Sequence, residues 1–240
     1  MILMLCSVCA AAEQISVAVA SNFTPTLRLL AEAFEAQSGH RLRISSASTG
    51  KLYAQINHGA PFDLFLAADV ERPRLLEQAG KAVPGSRFTY AKGRLVLWGP
   101  SVTSTQPAEE LLQALQFTHI AMANPNTAPY GAAAQRSLEK MDLWDKLQGR
   151  LVRGENIGQA YQFVASGAAQ IGFVAYSQVL AGKQTPGYHW PVPDTYYPPI
   201  RQQALLLKQA EKNLSAHAFM DYLRSPEAQH LISENGYDIE

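Results

Sequence analysis

Apolar residues follow two rhythms along this chain, short β-rich runs and stretches at helical spacing, and the two alternate over most of its length. Residues 15–20 are a β-rich apolar run that reads as a buried strand. A turn of Ser21, Asn22, Phe23, Thr24 and Pro25 follows, and Leu27, Leu30, Ala31 and Phe34 then recur at helical spacing until Gly39 stops them. Strands are predicted next at 41–46 and 62–67 and helices at 49–57 and 70–80. That β-α-β-α-β-α order belongs to a sheet covered on both faces. A strand at 94–98 leaves this unit, and a second set begins. It has helices at 108–115, 130–140 and 157–166 and strands at 119–123, 150–152 and 170–175. Residues 184–199, rich in Pro, Gly and aromatics, predict no element. A strand at 201–208 and helices near 215–223 and 226–235 close the chain.

The two sets share a rhythm without a residue-level repeat, and no linker, charge run or low-complexity tract divides them. The pattern predicts an α/β fold of two lobes, 13–90 plus 199–240 and 91–198, joined by crossings near 90–98 and 191–205. The last helices return to the first lobe. A single larger α/β sheet is the alternative arrangement.

Composition narrows the function classes. Of 240 residues, 47% are hydrophobic and 17% charged, enough for one large core or two modest ones. Twenty basic and twenty acidic side chains cancel, whereas a nucleic-acid binder carries a basic excess, so nucleic acid is not an expected partner. No stretch beyond the N-terminal segment has the roughly 18 uninterrupted apolar residues of a membrane span. Residues 1–12 are apolar and then small, and Ala10, Ala11 and Ala12 have the form of a signal-peptidase site. The segment reads as an export signal whose removal leaves a chain beginning near Glu13; an N-terminal strand extension is the structural alternative. Both cysteines, Cys6 and Cys9, fall inside it, and Val8 stands where a lipid-anchor site takes a small residue. Without that segment there is no thiol for a disulfide, a nucleophile or a thiolate metal site.

Four strand-to-helix turns carry small neutral donors. They are Ser21 with Asn22, the stretch 45–50 with Ser48 and Thr49, the stretch 124–131, and Gly154 to Ile157. In open α/β folds ligands settle at the carboxyl ends of the strands, where these turns lie. A helix N-terminus offers unpaired N–H groups and about half a positive charge, which suits an anion. Each turn alone is an ordinary N-cap. Two from each lobe would converge on one anion from both sides.

The string VAVASNFTP at 17–25 resembles the opening strand and turn of the periplasmic molybdate-binding proteins of ABC importers, a family of type II periplasmic binding proteins. SSASTGKLYAQI at 45–56, followed by GAPFDLFLAAD at 59–69, is the specific part of the match. Residues 124–131 and 154–157 are similar to the family's second-lobe ligand turns, and 197–202 to its return crossing. The resemblance implies a two-lobed architecture with each lobe a mixed sheet flanked by helices. It also implies a monomeric periplasmic protein that captures molybdate or tungstate and delivers it to membrane permease subunits. By the same resemblance Asn22, with Ser21 beside it, and Thr49, with Ser48 beside it, contact the ligand. Tyr130 and Ile157 contribute main-chain N–H groups. One branch of the family places a tyrosine where this chain has Ala175; Tyr176 follows one residue later, which on a strand is the other face. No cofactor, no catalytic residue and no direct protein-to-metal bond is expected.

Neutral donors also make chemical sense. A cage of N–H and O–H groups holds a fully deprotonated dianion, while phosphate carries a proton near neutral pH and needs an acceptor. Sulfate meets the same rule, so cage dimensions decide between sulfate and molybdate, and the preference for molybdate comes from the resemblance. Asp63 and Asp69 read as holders of loop backbone, Lys51 as a solvated lysine, and the three tryptophans as packing. His40, His58, His119, His189, His217 and His230 lack metal-ligand spacing. The rivals of the same fold are a sulfate binder and a ferric-ion binder using the adjacent Tyr196 and Tyr197. An enzyme would need an acid, base or nucleophile, and no nucleophile elbow, P-loop or paired carboxylates occur in a turn. A regulator's effector domain would need length for a helix-turn-helix.

Overall fold

The computed structural model describes residues 13–182 and 187–240. The export signal expected at 1–12, with Cys6 and Cys9, lies outside the described residues. The chain first runs β1 (Gln14–Ala20), α1 (Thr24–Ser38), β2 (Arg41–Ala47), α2 (Thr49–Asn57), β3 (Leu64–Ala67), α3 (Glu71–Gln78) and β4 (Phe88–Gly93). It continues with β5 (Leu95–Gly99), α4 (Ala108–Gln113), β6 (Ile120–Ala123), α5 (Pro129–Lys140), α6 (Trp144–Leu147), β7 (Leu151–Gly154) and α7 (Ile157–Ala165). After β8 (Ile171–Ala175), α8 (Tyr176–Ala181) and β9 (Tyr188–Pro191) it returns through β10 (Ile200–Leu206) to α9 (Leu214–Arg224) and α10 (Pro226–Glu234). No described helix is long and apolar enough to cross a membrane.

Two five-stranded mixed sheets form, in the orders β2-β1-β3-β10-β4 and β7-β6-β8-β5-β9. In the first, β1 pairs parallel with β2 and β3, while β10 runs antiparallel between β3 and β4. In the second, β6 pairs parallel with β7 and β8, while β5 runs antiparallel between β8 and β9. The apolar run of β1 has its cause here: helices cover both faces, so Ile15, Val17, Ala18, Val19 and Ala20 are all apolar and buried, with Ser16 the one buried polar side chain. Ile15, Val17 and Val19 pack with Leu27 and Leu30 of α1 and Phe219 of α9. Ala18 faces the other way, toward Leu52 and Ile56 of α2 and Leu76 of α3. The second sheet repeats this plan, with Leu111 of α4 and Leu138 of α5 on one face and Val164 of α7 and Val179 of α8 on the other.

Arg94 alone separates β4, in the first sheet, from β5, in the second. The return crossing lies between β9 and β10, and Gly93 pairs with Ile200, so the two crossings leave the first sheet side by side. The single large sheet is thereby excluded. Four described elements differ from the sequence pattern. β4, α6 and α8 stand where no separate element was expected, and β9 lies inside the stretch 184–199 expected to hold none. β9 is an edge strand of four residues ending in Pro191; a short edge strand tolerates Pro and shows little alternation.

Candidate functional site

The carboxyl ends of β1 and β2 face those of β6 and β7 across the cleft, and the turns that follow these strands meet there. Ser21, Asn22, Ser48, Thr49, Tyr130 and Ile157 all line one small cavity, together with Ala20, Ala68, Ala128 and Pro129. About 10 Å³ of space lies among them, far below the roughly 300–1,000 Å³ of pockets for drug-sized ligands. None of the ten lining residues carries a charge.

The donors differ in what already engages them. The Ser48 hydroxyl is buried without a partner, although Ser48 is the N-cap residue of α2 and an ordinary cap would bond back to the helix. The Thr49 hydroxyl accepts the Ala68 N–H at 3.1 Å. Its lone pair is thus engaged and its proton is left to donate. Ala128 caps α5 without a side-chain bond, so the N–H of Tyr130 in the first turn stays free. At α7 the Asn156 side chain does act as a cap, accepting the Gln159 N–H, which leaves that of Ile157. The Ser21 N–H bonds to the Ala47 carbonyl at 3.0 Å, and its hydroxyl accepts the Gly158 N–H at 3.2 Å.

Asn22 works differently from the direct side-chain donor that the sequence suggests. Its Nδ2 donates to Gln202 Oε1 at 2.9 Å and to the Tyr237 hydroxyl at 3.1 Å. Tyr237 in turn donates to the Asn22 carbonyl at 2.9 Å. Asn22 Oδ1 is buried without a partner, and an acceptor adds nothing to holding a fully deprotonated anion. What Asn22 offers the cavity is its main-chain N–H.

Several contacts hold the lobes shut around this space. Gly50 N–H donates to the Thr127 carbonyl at 2.9 Å, and Arg72 Nη2 donates to the Asn126 carbonyl at 3.3 Å. Lys51, exposed as the sequence suggests, forms a surface ion pair with Glu155 across the cleft. Asp63 accepts the Ser16 N–H at 2.7 Å, and Asp69 accepts the Arg72 N–H at 3.0 Å and pairs with its guanidinium. Both aspartates hold backbone. Burial pushes the Asp69 carboxyl up, and the neighbouring Arg72 pulls against that shift.

Other expected positions fall away from the cavity. Tyr196 donates to Glu109 at 2.7 Å, while the Tyr197 hydroxyl accepts the Leu95 N–H at 3.2 Å. The two phenols therefore do not form a shared iron site. Ala175 is fully buried and Tyr176 packs against His189, and neither lines the cavity. No group of three or more His, Cys, Asp or Glu able to hold a metal occurs among the described residues. A larger open groove beside the cleft includes Arg72, Arg136 and Arg201. Each is paired, with Asp69, Glu139 and Glu240 respectively. Sequence reasoning missed Tyr90, Gln202 and Tyr237, which stand behind Asn22; only Gln202 lay in a recognised string, as part of a crossing.

Residues 15–238 match the family of bacterial extracellular solute-binding proteins. The molybdate-binding protein ModA of Azotobacter vinelandii is 47% identical over 234 residues, covering 97% of this chain and 93% of the relative. ModA of Rhodobacter capsulatus is 43% identical over 231 residues, covering 96% and 90%. The solved periplasmic molybdate-binding protein of Azotobacter vinelandii superposes with a TM-score of 0.90 at 43% identity, covering 94% of this chain and 99% of that one.

Proposed function

The chain belongs to the bacterial extracellular solute-binding proteins, and we propose that it binds molybdate or tungstate in the cage between its lobes and hands it to an ABC importer. One observation carries the ligand class: a small cavity where four strand-to-helix turns converge, lined by neutral groups alone, with a buried Ser48 hydroxyl that has no partner. Main-chain N–H groups of Asn22, Tyr130 and Ile157 and the hydroxyls of Ser21, Ser48 and Thr49 are the proposed donors. A doubly charged, fully deprotonated oxyanion needs only such donors. The cage has no carboxylate or imidazole to take the proton of phosphate. The size of the space excludes sugars and peptides, and the likeness to molybdate-binding proteins favours molybdate over sulfate.

In this reading the protein works in the periplasm as a monomer. One lobe captures the anion, the other closes on it, and the importer's membrane subunits recognise the closed form. The reading needs no cofactor and no catalytic group. Calorimetric titration with molybdate, tungstate, sulfate and phosphate tests it. Tight binding of molybdate and tungstate, weak binding of sulfate and none of phosphate is the expected pattern. Sulfate bound tightly with molybdate ignored would sink the specificity.

A further inference from the structure

Gln202 sits near the start of β10, two residues past the Ile200–Gly93 pairing where both crossings leave the first sheet. It is completely buried. Its Oε1 accepts from Asn22 Nδ2 at 2.9 Å and from the Tyr90 hydroxyl at 3.1 Å. Its Nε2 donates to the Tyr130 hydroxyl at 3.2 Å. One side chain therefore bonds to a cage residue from each lobe, and each of those residues brings an unpartnered main-chain N–H to the cavity.

The berth of the Tyr130 phenol has a second requirement. A Cβ added at Gly93 would lie 2.0 Å from Tyr130 Oη and 2.8 Å from Gln202 Nε2. The phenol reaches the crossings only because residue 93 has no side chain.

We propose that Gln202 is a positioning residue that couples closure of the lobes to completion of the anion cage, with Gly93 keeping open the berth for Tyr130. The proposal rests on the anion-binding reading above. The bonds from Gln202 to Asn22 and Tyr90 lie within the first lobe and persist when the protein opens. The bond to Tyr130 crosses the cleft and forms on closing, which sets the Tyr130 N–H in register with that of Asn22. Burial holds the Tyr90 and Tyr130 phenols well above their ordinary range, so both remain neutral partners in the network.

Tyr130→Phe deletes only the phenolic oxygen and keeps the main-chain N–H of the cage. Its molybdate dissociation constant should rise about tenfold, through faster release, while the unfolding midpoint without ligand stays at the wild-type value. Gln202→Leu should also weaken binding, and lower the unliganded midpoint as well because it removes the first-lobe bonds to Asn22 and Tyr90. The double variant should bind no more weakly than Gln202→Leu, since both remove the bond to Tyr130. If Gln202→Leu does not fold, Tyr130→Phe carries the test alone, and Gly93→Ala supplies a second arm with the same expected loss of affinity. Wild-type affinity in Tyr130→Phe would overturn the coupling, as would a loss of affinity in that variant matched by an equal loss of unliganded stability. A wild-type protein that binds none of the four anions would sink the proposed function and the coupling with it. Wild-type binding with an unaltered Tyr130→Phe overturns the coupling alone.

Discussion

Thr49 and Ser48 are adjacent hydroxyls in one turn, and their surroundings give them different energetics. Thr49 accepts the Ala68 N–H and keeps its proton for a ligand, whereas the Ser48 hydroxyl is buried with nothing to bond. Removing a buried, unsatisfied hydroxyl does not lower the stability of the empty protein, but it does remove a donor from the cage. Ser48→Ala should therefore weaken molybdate binding by roughly 1–3 kcal/mol while the unfolding midpoint without ligand holds or rises. Thr49→Val should lose a similar amount of affinity and also lower that midpoint, because it strands the buried Ala68 N–H. Titration and thermal unfolding of both variants separate the two cases, and unchanged affinity in both would place the cage elsewhere. Asn22 shows the limit of sequence at this scale. Its place in the turn was legible, but the engagement of its amide by Gln202 and Tyr237 was not.

At the scale of elements, the site is made where helix N-termini approach one another, and backbone must meet backbone for the lobes to close. Gly50, in the first turn of α2, donates to the Thr127 carbonyl. A Cβ at residue 50 would lie 3.0 Å from that oxygen and 3.1 Å from the Thr127 Cα. Gly50→Ala should prop the cleft open and reduce affinity by about 1–3 kcal/mol, the usual cost of overpacking, while the unliganded midpoint holds or rises, because the contact is made on closing and Ala favours the helix over Gly. Equal affinity in calorimetry would show that the turn can give way. Long amphipathic helices and the apolar strands were legible because burial sets their period. β4, α6, α8 and β9 were not, since elements this short are placed by their neighbours rather than by their own pattern.

For the molecule as a whole, the absence of charge from the cavity lining has a consequence for pH. The phenols behind the cage, Tyr90, Tyr130 and Tyr237, are all pushed upward by burial. A raised phenol stays protonated and neutral until well above its ordinary range, so no lining group and none of these phenols changes charge from about pH 6 to 9. Molybdate affinity should be flat across that interval and fall only in stronger alkali, as deprotonation puts negative charge behind the cage. A steep change near neutrality would reveal a titrating group in the site. The Lys51–Glu155 pair is half exposed or more and, like most surface pairs, contributes about 0–1 kcal/mol to closure at most.

The sequence by itself determined the order of elements, the two-set rhythm and the four donor turns. These are local properties: each follows from residues a few positions apart sharing a face, a cap or a strand end. The tertiary structure decided which of those donors remain free, because the groups that engage them come from far along the chain. Gly158 reaches Ser21 across 137 residues, and Gln202 reaches Asn22 across 180. No periodicity records such partners; they exist only once the two lobes have folded and closed on each other.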